Sequence, residues 1–268
     1  MFFAIGVILI SCKKDEPIVN NDTKSVIDNI YADNSTELIF NVVNDYGIAL
    51  LNEKIPEIDS GVIVTITPQY PLDLFPKTMI INYGNGVSCS DGHLRKGKII
   101  TVFSNKWSFD SICTNENAQI TLNGYYCDNI QHVANIAVNI VGVTSGFPEF
   151  SLQSSNSKLV FENGESTLWS TERTIQWIAG YQTLTDKNDD VFLITGNTTG
   201  INSDQKGYSS TVTEPLRYDN TCFKGTLTNG VFEVVPQGLS KQVVNFGDGT
   251  CDKVATVTVN GISFNITF

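Results

Sequence analysis

The sequence predicts an all-β protein: an antiparallel sandwich or an extended meander of many short strands, with one short helix near its N-terminal end. Three observations carry that expectation. The apolar runs are crowded with Val, Ile, Thr, Phe and Tyr, and Asn and Gly separate them, the composition of sheets joined by turns. No helical pattern interrupts the strands of the later chain, which argues against parallel βαβ units. One strand-and-turn segment also occurs twice. The first copy reads FPKTMIINYGNGVSCSDGHLRKGKI over 75–99, and the second reads LSKQVVNFGDGTCDKVATVTVNG over 239–261.

Taken from the beginning, residues 1–12 read MFFAIGVILISC. The apolar run is too short to span a bilayer and suits the h-region of a signal peptide. Its end, Leu9-Ile10-Ser11-Cys12, resembles a bacterial lipobox, although no Lys or Arg precedes the run. The resemblance implies a lipoprotein signal peptide over 1–11 and lipidation at Cys12. Two or three acyl chains there, at about 0.8 kcal/mol per buried methylene, hold a protein on a membrane almost permanently. Lys14-Asp15-Glu16 resembles an export signal of Bacteroidetes surface lipoproteins, and 12–34 reads as a tether.

A helix is expected from about Ser35 to Asn52. Asn34-Ser35-Thr36-Glu37 fits an N-cap with Glu at N3, and Leu38, Val42, Tyr46 and Leu50 follow at helical spacing. Such a stripe is most often core. Gly61 to Pro68 reads as a strand and Pro68 to Pro76 as a loop. In the first copy Met79, Ile81 and Tyr83 alternate with Ile80 and Asn82. In the second, Val244 and Phe246 alternate with Val243 and Asn245. Tyr83 and Phe246 are therefore expected to be buried. Asn85-Gly86 and Asp248-Gly249 are expected to form tight turns, since these pairs tolerate φ > 0. Lys96 to Phe103 and Val254 to Val259 read as the returning strands. Trp107 to Thr114, Ala118 to Leu122 and Val133 to Val143 follow as strands, with a further hairpin turn at Asn123-Gly124.

Gly146-Phe147-Pro148 breaks the pattern and marks a candidate boundary near 144–150 between two halves of the all-β region, 35–268. Beyond it short strands recur at Lys158–Glu162, Ser166–Thr171, Thr174–Ala179, Val191–Thr195, Gly207–Thr213, Gly225–Leu227 and Val231–Val235. The order FPKTMIINYGNG, DGHLRKGKI, WIAGYQT, FLITGNTTG, a lone cysteine and VNFGDGTCDKVATVTVNG resembles a family of uncharacterised Bacteroidetes surface lipoproteins of flavobacterial type. These carry repeated aromatic-Gly-Asp/Asn-Gly segments followed by cysteine, and the likeness covers about residues 60–268. It implies an all-β fold on the outer membrane and implies no chemistry. It also motivates a Cys222–Cys251 disulfide. Cys113 with Cys127, across a hairpin, is the second expected pair, leaving Cys89 over. Spacing alone does not fix the connectivity.

Composition excludes one class of partner. Lys and Arg number 17 against 28 Asp and Glu, a net charge of -11, the wrong sign for a phosphate backbone. Chemistry-bearing constellations are sparse. His93 and His132 are the histidines, neither in a nucleophile motif, and no carboxylate pair stands out for glycoside chemistry. Metal binding at Cys113 and Cys127 lacks a C-x-x-C and a second nearby histidine, so no metal and no cofactor is expected. Asp186-Lys187-Asn188-Asp189-Asp190 begins like a calcium loop, but Val191 and Asn197 stand where Gly and Glu are required. Asn85, Asp248 and Asp252 fit turns, with weak cation binding as the other reading. Trp169, Trp177 and Tyr181 fit a core better than a sugar platform, and Asp110-Ser111-Ile112 resembles an O-glycosylation acceptor of exported Bacteroidetes proteins. The expectation is thus a lipid-anchored, non-enzymatic binding or structural module facing a glycan or protein ligand. A glycan-binding or carbohydrate-active accessory protein of a nutrient-uptake system is the alternative.

Overall fold

In the computed structural model, residues 23–51, 58–69, 74–109, 118–184 and 186–268 are described. Cys12, Ser111 and Cys113 lie outside them. One helix, α1 (Lys24–Leu51), precedes fourteen strands. These are β1 (Ile63–Thr67), β2 (Lys77–Ser88), β3 (Leu94–Phe103), β4 (Ala118–Cys127), β5 (Ile130–Val133), β6 (Asn135–Thr144) and β7 (Phe147–Val160). They continue with β8 (Ser166–Ala179), β9 (Val191–Ile201), β10 (Gly207–Asp219), β11 (Thr226–Pro236), β12 (Gln242–Asp248), β13 (Val254–Val259) and β14 (Ile262–Thr267).

The strands form a single antiparallel sheet in sequence order. Its one irregularity is that β5 and β6 both lie between β4 and β7, as one strand broken near Ala134. The all-β expectation holds, in its meander form. The boundary expected near 144–150 is corrected: Ser145 and Gly146, both at positive φ, make the tight turn between β6 and β7, which pair along their whole length. Several strands outrun their expected lengths. Ser166–Thr171 and Thr174–Ala179, for example, are one continuous β8. Trp107, placed in a strand by the sequence, sits in irregular chain after β3.

The helix is the larger surprise. It starts at Lys24, where Ile27 N donates to Thr23 O at 2.9 Å, so residues 24–34 are helix rather than tether. Ser35 and Thr36 are interior. Thr36 Oγ1 donates to Ala32 O, and Ser35 Oγ bonds His132 Nδ1 at 2.6 Å. Burial is not confined to one face. Val26, Ile30, Ile39, Phe40 and Val43 are buried, and so are Asp28, Asn29, Asp33, Glu37 and Asn44. A helix buried all round is enclosed by its neighbours, and here the sheet curls about it. Phe40 meets Phe150 and Phe192 edge-on at 4.9 and 5.8 Å. Trp107 Nε1 donates to Asn44 Oδ1, and its ring lies so close over Gly47 that a Cβ there would meet it at 2.8 Å. Asp33 forms an ion pair with Arg173 of β8, both buried.

The repeated segment is a structural repeat. Asn82 Oδ1 accepts from Gly84 N at 3.0 Å, and Asn245 Oδ1 accepts from Gly247 N at 2.7 Å. Tyr83 and Phe246 are 4% and 2% exposed, as their alternation requires. The expected hairpin turn at Asn85-Gly86 is corrected. These residues bulge within β2, whose pairing with β3 resumes at Val87↔Arg95, and the chain turns at 89–93. Asn123-Gly124 likewise bulges inside β4, and the turn to β5 is made by Asp128 and Asn129, with φ of 47° and 69°. Asp248 ends β12 opposite Asn229, and Gly249, at φ 106°, opens the loop to β13.

Candidate functional site

A cavity of about 1470 Å³ lies between the C-terminal half of α1 and the sheet. Leu38, Asn41, Val42, Asp45, Tyr46 and Ala49 line it from the helix, one face at three- and four-residue spacing. The stripe Leu38, Val42 and Tyr46, which the sequence assigns to the core, thus forms the cavity wall and is only partly buried. The deeper positions are Ile39, Phe40 and Val43. In an enclosed helix every face is apolar enough to pack, so periodicity does not say which face meets protein.

The sheet supplies Tyr83, Arg95 and Tyr218, and the loops supply Asp59, Asp91 and Asn220 among others. Arg95 is 2% exposed and forks onto Asp91, with Nη1 and Nη2 at 2.8 and 2.6 Å from its oxygens, while its Nε donates to Tyr125 OH. Burial alone would raise the Asp91 carboxyl, but the guanidinium outweighs it and holds the group below the usual carboxylate range. Two carboxyls go the other way. Desolvation pushes Asp45 up to about 7 and Asp190 up to about 8, the latter raised further by the Asp45 charge and opposed by the Trp177 Nε1 bond at 3.0 Å. Both line a small recess with Ile48, Trp177 and Leu184. Raised carboxyls lining a recess beside the cavity make this region the candidate site.

Cys222 and Cys251 are bridged, with Cα atoms 5.5 Å apart. Cys127 carries a free, buried thiol, and Cys113, its expected partner, lies outside the described residues. The hairpin β4–β5 turns at Asp128-Asn129, so Cys127 faces the end of β3, across from Arg95. Cys89 is also a buried free thiol. Trp169 and Trp177 are 3% and 1% exposed, core residues as read, and Tyr181 stacks edge-on against Trp177 and Phe147. Asp186 Oδ1 accepts from Asn188 N, capping a short 3-10 turn. Asp252 closes its own loop through Val254 N and Thr250 Oγ1. Asn85, Asp248 and Asp252 are all exposed; Asp248 and Asp252 flank the β12–β13 loop, Asn85 lies on β2 near the other end of the strand order, and none of the three lines the cavity.

Sequence reasoning passed over Asp45 and Arg95, weighed His93 without giving it a role, and read Asp190 only as part of a failed calcium loop. The available signal was faint: a carboxylate on the apolar side of a helix at Asp45, and the last of five polar residues at Asp190. No protein-family model, no curated protein and no solved structure matches this chain. Among the described residues no helix is long and apolar enough to cross a membrane.

Proposed function

We propose that the protein is a secreted cell-envelope lipoprotein, anchored to the outer membrane through Cys12, that works as a binding module. Its ligand enters the cavity beside α1. The observation that carries this reading is the helical stripe Leu38, Val42 and Tyr46, which packs partly against the core and also lines a cavity of about 1470 Å³. Enclosed cavities with a few convergent polar groups are the usual form of small-ligand sites. The polar groups include hydroxyls, amides and a carboxylate, Tyr46, Tyr83, Asn41, Asn220 and Asp45, beside the lysines Lys187 and Lys224 and an Arg95 already paired with Asp91. A mixed lining of charges of both signs with hydroxyls and amides suits a hydroxyl-rich ligand without net charge, and a glycan has this chemistry. The anchor rests on the LISC tetrad and the charged stretch after it.

The test combines a glycan-array screen with a cavity-filling variant. Binding by the wild type that Val42→Trp abolishes, in a protein whose melting curve is unchanged, supports the cavity. Binding that survives Val42→Trp moves the site elsewhere, and a blank array removes the glycan. For the anchor, Cys12→Ala should leave the detergent phase for the aqueous phase, and unchanged partitioning would sink it. One observation favours a second reading, a carbohydrate-active enzyme. Asp45 and Asp190 line one recess and both carboxyls are raised, so a protonated carboxylic acid stands ready there, the general-acid half of glycoside chemistry. Turnover of an array ligand that Asp190→Asn eliminates would select it.

A further inference from the structure

Outside the cavity, three groups that ligate metals meet at one point. His93 comes from the β2–β3 turn, and Cys127 and Asp128 come from the end of β4. His93 Nδ1 lies 2.9 Å from Asp128 Oδ2 and 3.4 Å from Cys127 Sγ, and the three ligand atoms all lie within 4.8 Å of one another. We propose that His93, Cys127 and Asp128 form a binding site for a divalent cation of the zinc class.

The spacing fits. Zinc bonds nitrogen and oxygen at about 2.0 Å and thiolate sulfur at about 2.3 Å, so a tetrahedral ion sets its ligand atoms about 3.3–3.6 Å apart. The N–S separation of 3.4 Å matches that, and the N–O separation of 2.9 Å is shorter. The sulfur and carboxylate oxygen lie within 4.8 Å, so rotation of the His93 and Asp128 side chains completes the geometry. The local backbone produces the convergence. Successive residues of a strand point to opposite faces, so Cys127 and its neighbour would ordinarily diverge. Asp128 instead adopts φ 47° in the turn to β5. That left-handed conformation, which Asp tolerates better than most residues, swings the carboxylate to the side of the thiol.

Each ligand is also held by a partner outside the trio. His93 Nε2 lies 3.1 Å from the carbonyl oxygen of Lys224. A carbonyl only accepts, so Nε2 carries the hydrogen, and the Nδ1 lone pair is left facing Cys127 and Asp128. This is the outer-sphere arrangement that fixes the tautomer of a metal-binding histidine. Asp128 Oδ1 accepts from Leu94 N at 2.9 Å, which leaves Oδ2 for the ion. A thiolate and a carboxylate together neutralise a divalent charge, and the S, N, O set matches zinc better than calcium or magnesium. Cys127 is buried, whereas the His93 and Asp128 side chains are 12% and 36% exposed. A fourth position therefore opens on the solvent side. Lys224 Nζ, 2.6 Å from Asp128 Oδ2, is the cation that an incoming metal displaces. Of the other nearby charges, Arg95 is already neutralised by Asp91, and Lys253 stands near Lys224 and Asp128. The site would tie together three loops, the β2–β3 turn, the β4–β5 turn and the Lys224 loop between β10 and β11, which close the sheet around α1.

The test is a cobalt titration of the purified full chain, since four-coordinate cobalt with a thiolate ligand absorbs where the apoprotein does not. One equivalent should give visible ligand-field bands and a thiolate-to-cobalt charge-transfer band, which zinc then displaces. Cys127→Ser should lose the charge-transfer band and Cys89→Ser should keep it. His93→Gln should bind at least about tenfold more weakly, the loss even an outer-shell partner commands. His93 is a turn residue, so this variant keeps the test alive if Cys127→Ser does not fold by circular dichroism. The proposal is overturned if the wild type gives no charge-transfer band with excess cobalt, if the band survives Cys127→Ser, or if His93→Gln binds as tightly as wild type. Recovery of Cys127 in a disulfide from the native protein overturns it equally.

Discussion

Residues 82–89 and 245–251 begin alike and end differently. Both start with an Asn whose side chain folds back onto a glycine two residues on, and both bury the intervening aromatic. Then they part. The first copy stays in the ladder as a bulge, passes a free cysteine and turns into the cavity wall at Ser90 and Asp91. The second leaves its ladder at Asp248, and its cysteine is tied to Cys222, 29 residues earlier in the chain. The shared part is set by local chemistry, an Asx turn and an alternating apolar face. The divergent part is set by the neighbours. β3 and β4 extend far enough to keep β2 paired past its glycines, whereas β13 is short and pairs with β12 only up to Asn245↔Thr256. The first copy builds the site and the second fastens the sheet.

Breaking the shared part should have the largest effect. Phe246→Ala removes a ring packed against Phe232 and Phe268 at 5.6 and 5.4 Å, and is expected to cost about 3–5 kcal/mol in denaturant unfolding. Breaking the divergent part should cost nearly as much in one copy and little in the other. Loss of the Cys222–Cys251 bridge is expected to cost about 3–4 kcal/mol on the chain-entropy account. Cys89→Ser, in the matching place, should stay near 1 kcal/mol as a small buried thiol exchanged for a hydroxyl. Equal losses at the two cysteines would erase the distinction between them.

The pH dependence probes the cavity that the first copy lines. The Asp45 and Asp190 carboxyls are raised in the folded protein from an ordinary 3.8 to about 7 and about 8. The folded state therefore holds protons that the unfolded chain has released. Their contribution to stability is fully present below about pH 4 and is lost as pH rises through 7 and 8. Asp91 and Asp128, held low by Arg95 and by Lys224 with Leu94 N and His93, act oppositely and cost stability only in strong acid, Asp128 down to about 2. Below about pH 6.5 the buried neutral His132, held down at about 3, opposes this trend. Melting temperature should thus fall between about pH 6.5 and 8.5, and Asp45→Asn should reduce that fall, Glu37 at about 8 supplying part of the remainder. An unchanged slope would show that Asp45 is solvated.

Smaller effects compare the glycines directly. Gly84 and Gly247 have φ of 56° and 89° and open space where a Cβ would stand. Alanine at either should cost only backbone strain, about 1–2 kcal/mol, and equally in both copies. The smallest effect is expected at Asp248→Asn, within about 0.5 kcal/mol for an exposed position where the first copy already has Asn85. A calcium-dependent rise in melting temperature seen in wild type and lost in that variant would turn this position from a turn residue into a ligand.

Much of this molecule was legible in its residues. Alternation placed Tyr83, Phe246, Trp169 and Trp177 inside, because a strand's two faces are fixed by its two-residue period. Asn-Gly pairs marked where the backbone bends, because only certain residues tolerate those dihedrals. What such pairs do not say is whether the bend is a hairpin or a bulge. At Asn85-Gly86 and Asn123-Gly124 it is a bulge, because the adjacent strands are long enough to keep pairing beyond it. The helix boundary failed for a related reason. Residues 24–34 carry Asp28, Asn29 and Asp33 and read as a solvated tether, yet Ser203 of the β9–β10 loop donates to Asp28, Arg173 of β8 pairs with Asp33, and Asn29 donates to Asp33 within the helix. The site was least legible. Asp45 and Asp190, 145 positions apart, line one recess, and His93 meets Cys127 across 34. Local chain chemistry determined the faces, the bends and the all-β class. Which distant groups share a cavity or a ligand point was decided by how a thirteen-step meander closed around one helix, and no short-range pattern records that.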